Sequence, residues 1–178
     1  QAAAGNTALP QALDGQAIWM QVPQGNGRFV VTLPNSNTGE LQASSEYITH
    51  AIRKMFNTTK TKIAIVGFSQ GGVIALHLLP RLPYKLAGVM ALSTYMCAPD
   101  KLKDESNNLN KTTPVLVAHG NQDPVVPMFA GQQAYHSLKS AGFNVSWHEY
   151  RMPHSVCAQE VADISSFIQR RLLVQAES

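Results

Sequence analysis

Short, continuously apolar runs alternate along this chain with stretches of helical periodicity, and few folds accept that rhythm. Lys62–Gly67, Leu86–Leu92 and Pro114–Ala118 are apolar at nearly every position, which suits strands buried on both faces. Helical spacing is predicted over Glu40–Phe56, with Leu41, Tyr47 or Ile48, Ala51 or Ile52, and Met55 on one face. It returns over Gln70–Leu79, halted by Pro80, and over Met128–Ser140, closed by Gly142. A closing helix over Val156–Leu173 carries Val161, Ile164, Ile168 and Leu172 on one stripe. Asn144–Tyr150 predicts a strand of alternating character. Ala17–Met20 and Arg28–Leu33 predict two early strands around a turn at Pro23–Gly27, followed by a loop at Pro34–Gly39. The expected fold is α/β, a mostly parallel sheet with helices on both faces. Ligands of such sheets sit beyond the carboxyl ends of the strands.

At 178 residues there is room for one domain, residues 1–178, with Gln1–Gly15 a poorly ordered lead-in. A hydrophobic share of 44% against 14% charged excludes a disordered chain. The net charge of +3 comes from scattered basic residues such as Arg53, Lys54, Lys101, Lys103, Arg170 and Arg171. They form no aromatic-interleaved patch, so no nucleic-acid partner is expected. Cys97 and Cys157 have neither disulfide-framework nor zinc spacing. One bridge between them is formally open, but two reduced thiols in a reducing, cytoplasmic compartment, with no metal, is the expectation. No apolar run reaches the ~20 residues of a membrane span, so no integral membrane segment is expected. The first residues also lack the charged-then-apolar layout of a signal peptide.

Chemistry gathers at three strand ends. The run Lys62–Gly67 leads directly into Gly67-Phe-Ser-Gln-Gly-Gly72 and a helix. A turn that sharp needs small neighbours, here Gly67 and Gly71, while Gly72 lets the helix approach the sheet. It would lift the Ser69 hydroxyl above the sheet and aim the Gln70 N–H into the same space. An ordinary glycine-rich turn or a phosphate loop competes with this, yet neither GxxxxGK[ST] nor GxGxxG is present. A serine nucleophile needs a base and an orienting acid. Asp123 follows the next candidate strand, and His154 follows the last, giving the chain order Ser, Asp, His of an α/β-hydrolase. His50, His77 and His136 fall within predicted helices and His148 within a strand. His119 is the rival base, with a loop-stabilising role as its alternative.

Gly67–Gly72, Leu86-Ala-Gly-Val-Met-Ala-Leu-Ser-Thr-Tyr95, His119-Gly-Asn-Gln-Asp-Pro-Val-Val-Pro127 and Met152-Pro-His154 together resemble the bacterial carboxylesterases related to acyl-protein thioesterases and lysophospholipases. The resemblance runs from about residue 40 to the C-terminus. It implies an α/β-hydrolase with Ser69 as nucleophile, Asp123 as orienting acid, His154 as general base and the Gln70 N–H as one oxyanion donor. The implied substrates are short- to medium-chain acyl esters or thioesters, with no cofactor. Pocket walls are expected at Met96, Val125, Val126, Met128 and Phe129, with ordinary core packing as their alternative role.

The N-terminal part departs from the family and is shortened. The family's His-Gly-Leu-Gly loop, source of the second oxyanion donor, has its nearest counterpart in Ile18–Gly25. Pro23, which has no N–H, then falls at the donor position. The following helix and a Trp-Tyr-Asp segment are also missing. Three accounts stay open: a naturally shortened member, a non-contiguous chain, or an oxyanion hole rebuilt from Val22 or Gln24. Loss of one donor costs about 10²–10³ in kcat, so a non-catalytic acyl-binding protein on a hydrolase scaffold is the alternative function. A shortened sheet would leave an apolar edge for a second copy to cover, so a homodimer is the expected assembly.

Overall fold

A computed structural model describes residues 49–50, 52–53 and 62–173, together with the backbone of 18–21 and 28–33. Six strands form one sheet in sequential order: β1 (Ile18–Gln21), β2 (Arg28–Leu33), β3 (Lys62–Phe68), β4 (Gly88–Leu92), β5 (Val115–Gly120) and β6 (Val145–Tyr150). β1 pairs antiparallel with β2, and every later pairing is parallel. The helices are α1 (Gln70–Leu78), α2 (Leu102–Glu105) after a 3-10 turn at Pro99–Lys101, α3 (Met128–Ser140) and α4 (Ala158–Ile168). A widened final turn, Gln169–Leu173, continues α4.

Strand register explains how one sheet serves two cores. Ile65, Val89, Val115 and Val145 are direct neighbours across β3 to β6 and face one side. Ile52, Ile74 and Leu78 join them there, as do Ala134 and Leu138 from α3. One residue further along each strand, Val66, Met90 and Leu116 line up on the opposite side, where Phe167 and Leu172 cover them. Helices therefore cover both faces, as the continuous apolar runs require. Truncating a fully buried side chain such as Leu138 to alanine would cost about 2–5 kcal/mol.

Several boundaries differ from the sequence expectation, for local reasons. Leu86 lies ahead of β4 because its N–H is taken by the Asn110 side chain, at 2.8 Å. β5 runs on through His119 and Gly120, which pair with Glu149 and Tyr150 of β6. α4 starts at Ala158, not Val156, after the extended backbone of Cys157. The Pro99–Glu105 helical segment was not signalled by apolar periodicity; Pro99 starts its first turn. Of the expected Glu40–Phe56 helix, Thr49, His50, Ile52 and Arg53 have helical backbone. Its other residues, the Gln1–Gly15 lead-in, the Pro23–Gly27 turn and the Pro34–Gly39 loop lie outside the described residues.

Candidate active site

β3 ends in a turn that holds Ser69 at φ 55° and ψ −117°. A non-glycine residue there carries about 1–3 kcal/mol of backbone strain, so its surroundings must hold it. The Ser69 N–H donates to the Leu92 carbonyl at 2.8 Å, tying the turn to the end of β4. The Ser69 carbonyl accepts from the Thr94 hydroxyl at 2.6 Å and from the Val73 N–H at 3.2 Å. Gly72 meets the same Thr94, whose side chain would lie 2.6 Å from a Cβ added there. Gln70 opens α1 directly after the serine.

The loops after β5 and β6 are stitched together by backbone. The Asn121 and Gln122 N–H groups donate to the carbonyls of Tyr150 and Met152, at 2.8 and 3.0 Å. Gly120 permits this approach: a Cβ there would stand 2.3 Å from the Met152 carbonyl oxygen. The stitching brings Asp123 and His154 side by side.

Asp123 is held through both carboxylate oxygens. Oδ1 accepts from the N–H groups of Val125 and Val126, at 2.8 and 2.9 Å. Oδ2 accepts from His154 Nδ1 at 2.7 Å. Burial pushes the Asp123 pKa up, but the hydrogen bonds from His154, Val126 and Val125 outweigh it and hold the group below its ordinary value. Because His154 Nδ1 donates to a carboxylate, its Nε2 presents a lone pair. That nitrogen lies 3.1 Å from Ser69 Oγ, which donates to it. The Phe68 ring packs against the imidazole at 4.9 Å between centroids. A hydroxyl, an imidazole and an ionised carboxylate thus form one hydrogen-bonded chain, a geometry suited to moving the serine proton.

The other expected site residues are distributed differently. Val126 is buried beneath the acid loop and engages Asp123 through its N–H. Met96 and Met128 are half-buried, Met96 against the core beside α1. Val125 and Phe129 are 66% and 68% exposed. Tyr95 and Val156 are also exposed, so four large apolar side chains lie on the loops and the helix start that follow β4, β5 and β6. Val22 and Gln24 lie outside the described residues. His119, the rival base, is fully buried within β5 and hydrogen-bonds the Val126 carbonyl at 2.7 Å. Sequence reasoning missed Thr94 and the backbone of Val125 and Val126, because nothing in residue type marks a peptide N–H as a ligand. Cys97 and Cys157 are free thiols. Among the described residues, no cluster of His, Cys, Asp and Glu is placed to hold a metal ion. No described helix is long and apolar enough to cross a membrane.

Comparison with known proteins gives a consistent set of relatives. The profile of a phospholipase/carboxylesterase family matches residues 30–172. The acyl-protein thioesterase 1 of Gibberella zeae is 28% identical over 159 residues, covering 86% of this chain and 68% of that protein. That of Neurospora crassa is 33% identical over 159 residues, covering 86% of this chain and 65% of its own length. The crystal structure of SOBER1 from Arabidopsis thaliana matches with a TM-score of 0.70 at 27% identity, over 77% of this chain and 67% of that one. The chain therefore spans about two thirds of the length of these relatives. The family match begins inside β2, leaving β1, Val22 and Gln24 ahead of it.

Proposed function

The chain belongs to the phospholipase/carboxylesterase family and has its α/β-hydrolase fold, and we propose that it hydrolyses short- to medium-chain acyl esters or thioesters through an acyl-enzyme. The observation that supports this reading is the chain of contacts from Ser69 Oγ through His154 to Asp123, at 3.1 and 2.7 Å. Its relatives include proteins named acyl-protein thioesterase 1.

In this mechanism His154 Nε2 takes the Ser69 proton as Oγ attacks the acyl carbonyl. Asp123 holds the imidazole tautomer and stabilises its cation, without itself taking the proton. The tetrahedral oxyanion is met by the Gln70 N–H at the start of α1, where the helix dipole adds partial positive charge. Collapse expels the alcohol or thiol, which receives the proton from His154. Water then attacks the acyl-enzyme by the same route, releasing the acid and restoring Ser69. Val22 or Gln24 would supply a second oxyanion donor. Tyr95, Val125, Phe129 and Val156, exposed on the segments that follow β4, β5 and β6, would offer the acyl chain apolar surface, and Met96, Val126 and Met128 are assigned to the same wall. The proposed setting is a reducing, cytoplasmic one, in which Cys97 and Cys157 would stay thiols. Pairing of two copies along a sheet edge belongs to the same proposal, and sedimentation velocity would separate monomer from dimer.

The deciding experiment is hydrolysis of a p-nitrophenyl acyl series from acetate to decanoate by the wild-type chain and by Ser69→Ala. Hydrolysis that vanishes with Ser69, with an optimum at short or medium chain length, is the expected result. Equal inertness of both proteins, together with acyl-ligand binding, would replace catalysis with a binding role.

A further inference from the structure

The acid of the proposed relay has a neighbour that the mechanism above does not use. His119 is fully buried in β5, and its Nε2 lies 2.7 Å from the Val126 carbonyl oxygen. A carbonyl only accepts, so Nε2 carries a proton and donates. The same nitrogen is 3.4 Å from Asp123 Oδ2, the oxygen that also receives His154. Val126 in turn donates its N–H to Asp123 Oδ1 at 2.9 Å. His119, Val126 and Asp123 therefore close a small ring around the carboxylate.

The far side of the imidazole fixes its charge state. Nδ1 is buried without a hydrogen-bond partner and faces Gly131 of α3, where a Cβ would stand only 2.5 Å away. A proton on Nδ1 would bury an N–H with no acceptor, so the neutral ring is favoured. An apolar residue of similar shape would fill this space with no orphaned nitrogen, so a donor at Nε2 must bring something packing does not. The titratable groups facing this ring of contacts are Asp123, through it His154, and Glu149, the exposed cross-strand neighbour of His119 on β6, whose carboxylate accepts from Trp147 Nε1 at 3.3 Å. α3 presents Gly131 and β6 presents the Trp147 ring at 6.3 Å from the His119 ring, neither of them charged.

We propose that His119 is a positioning residue: an Nε2–H donor that holds the Asp123 loop through the Val126 carbonyl and sets its dipole beside the carboxylate. The inference rests on Asp123, His154 and Ser69 acting as proposed above. The Nε2–H bonds the Val126 carbonyl, and its positive end lies 3.4 Å from Oδ2, which leaves the carboxylate less able to stabilise the His154 cation and lowers the pH at which the base becomes active. Without it, the base would stay protonated to higher pH.

The test is the pH dependence of kcat/KM for p-nitrophenyl butyrate, from pH 5 to 9, in wild type, His119→Phe and His119→Gln. His119→Phe should move the acid limb to higher pH and lower kcat while KM stays unchanged. His119→Gln, which can place an amide N–H at the same point, should restore the wild-type limb. An unmoved limb in His119→Phe, or a glutamine variant shifted as far as phenylalanine, would overturn the proposal. Should the phenylalanine variant fail to fold, imidazole ¹⁵N shifts of the wild-type chain decide. A His119 protonated at Nε2 and bare at Nδ1 throughout that range supports it, whereas the other tautomer or a titrating ring refutes it. Activity surviving in Ser69→Ala would sink the hydrolase mechanism instead, and the ¹⁵N measurement does not depend on that outcome.

Discussion

A Cβ placed on Gly67 would stand 2.3 Å from the carbonyl oxygen of Gly71, which already lies inside α1. The last strand residues before Ser69 and the first turn after it are thus in backbone contact, leaving no side chain to give way. Gly67→Ala should force the turn open, displacing Ser69 Oγ from His154 and costing about 1–3 kcal/mol of stability. Misplacement by about 1 Å lowers turnover on the order of 10²-fold. Thermal unfolding and ester hydrolysis, measured on one preparation, would show whether both fall together.

Asp123→Asn tests the tautomer. An amide can turn its NH₂ toward His154 Nδ1, which would then accept and leave the proton on Nε2, where the serine proton must go. The fold should survive, because the variant keeps an oxygen for the Val125 and Val126 N–H groups. Turnover should drop by about 10⁴ with an unchanged circular dichroism spectrum. Loss of less than tenfold would show that Asp123 does not orient the base.

Glu160 predicts an unusual dependence of stability on pH. Its side chain is fully buried in the first turn of α4, and neither carboxylate oxygen has a partner. Burial, assisted by the nearby Asp163 charge, pushes its pKa from 4.5 to about 7. The folded chain then keeps a proton that the unfolded chain releases, so stability must fall as pH rises from about 4.5 to about 7 and level off above. The full effect is on the order of 3 kcal/mol as an upper bound. Asp123 runs the other way: its contribution is present above the ordinary carboxylate range and lost only at lower pH. Urea unfolding at pH 5 and pH 8 should show the decline in wild type and its absence in Glu160→Gln. A glutamine variant with the wild-type slope would place the titration elsewhere.

Asn110 should matter for stability and not for catalysis. Its Oδ1 accepts from the Leu86 N–H and the Thr113 hydroxyl at 2.8 and 2.7 Å, while its Nδ2 donates to the Tyr84 carbonyl at 2.9 Å. Asn110→Ala leaves buried polar groups without partners, an expected loss of about 2–4 kcal/mol. Activity per folded molecule should match wild type, as read by active-site titration with a fluorophosphonate.

Much of this molecule was legible in residue order because the controlling physics is local. The paired-face apolar runs of β3, β4 and β5 announce a buried parallel sheet, and Gly67 with Gly72 announces a turn that only missing side chains permit. The order of Ser69, Asp123 and His154 could likewise be read from strand ends. What lay beyond reach was every property set by residues distant in sequence. Leu86 drops out of β4 because Asn110 reaches it from 24 residues away. The apolar type of Val126 says nothing of its peptide group, which clamps Asp123 and receives His119. The contact between His154 and Ser69 bridges 85 residues. Periodicity and sterics specify each segment by its own neighbours, whereas such a contact exists only once strand register and the close approach of Gly120 to Met152 bring separate loops together.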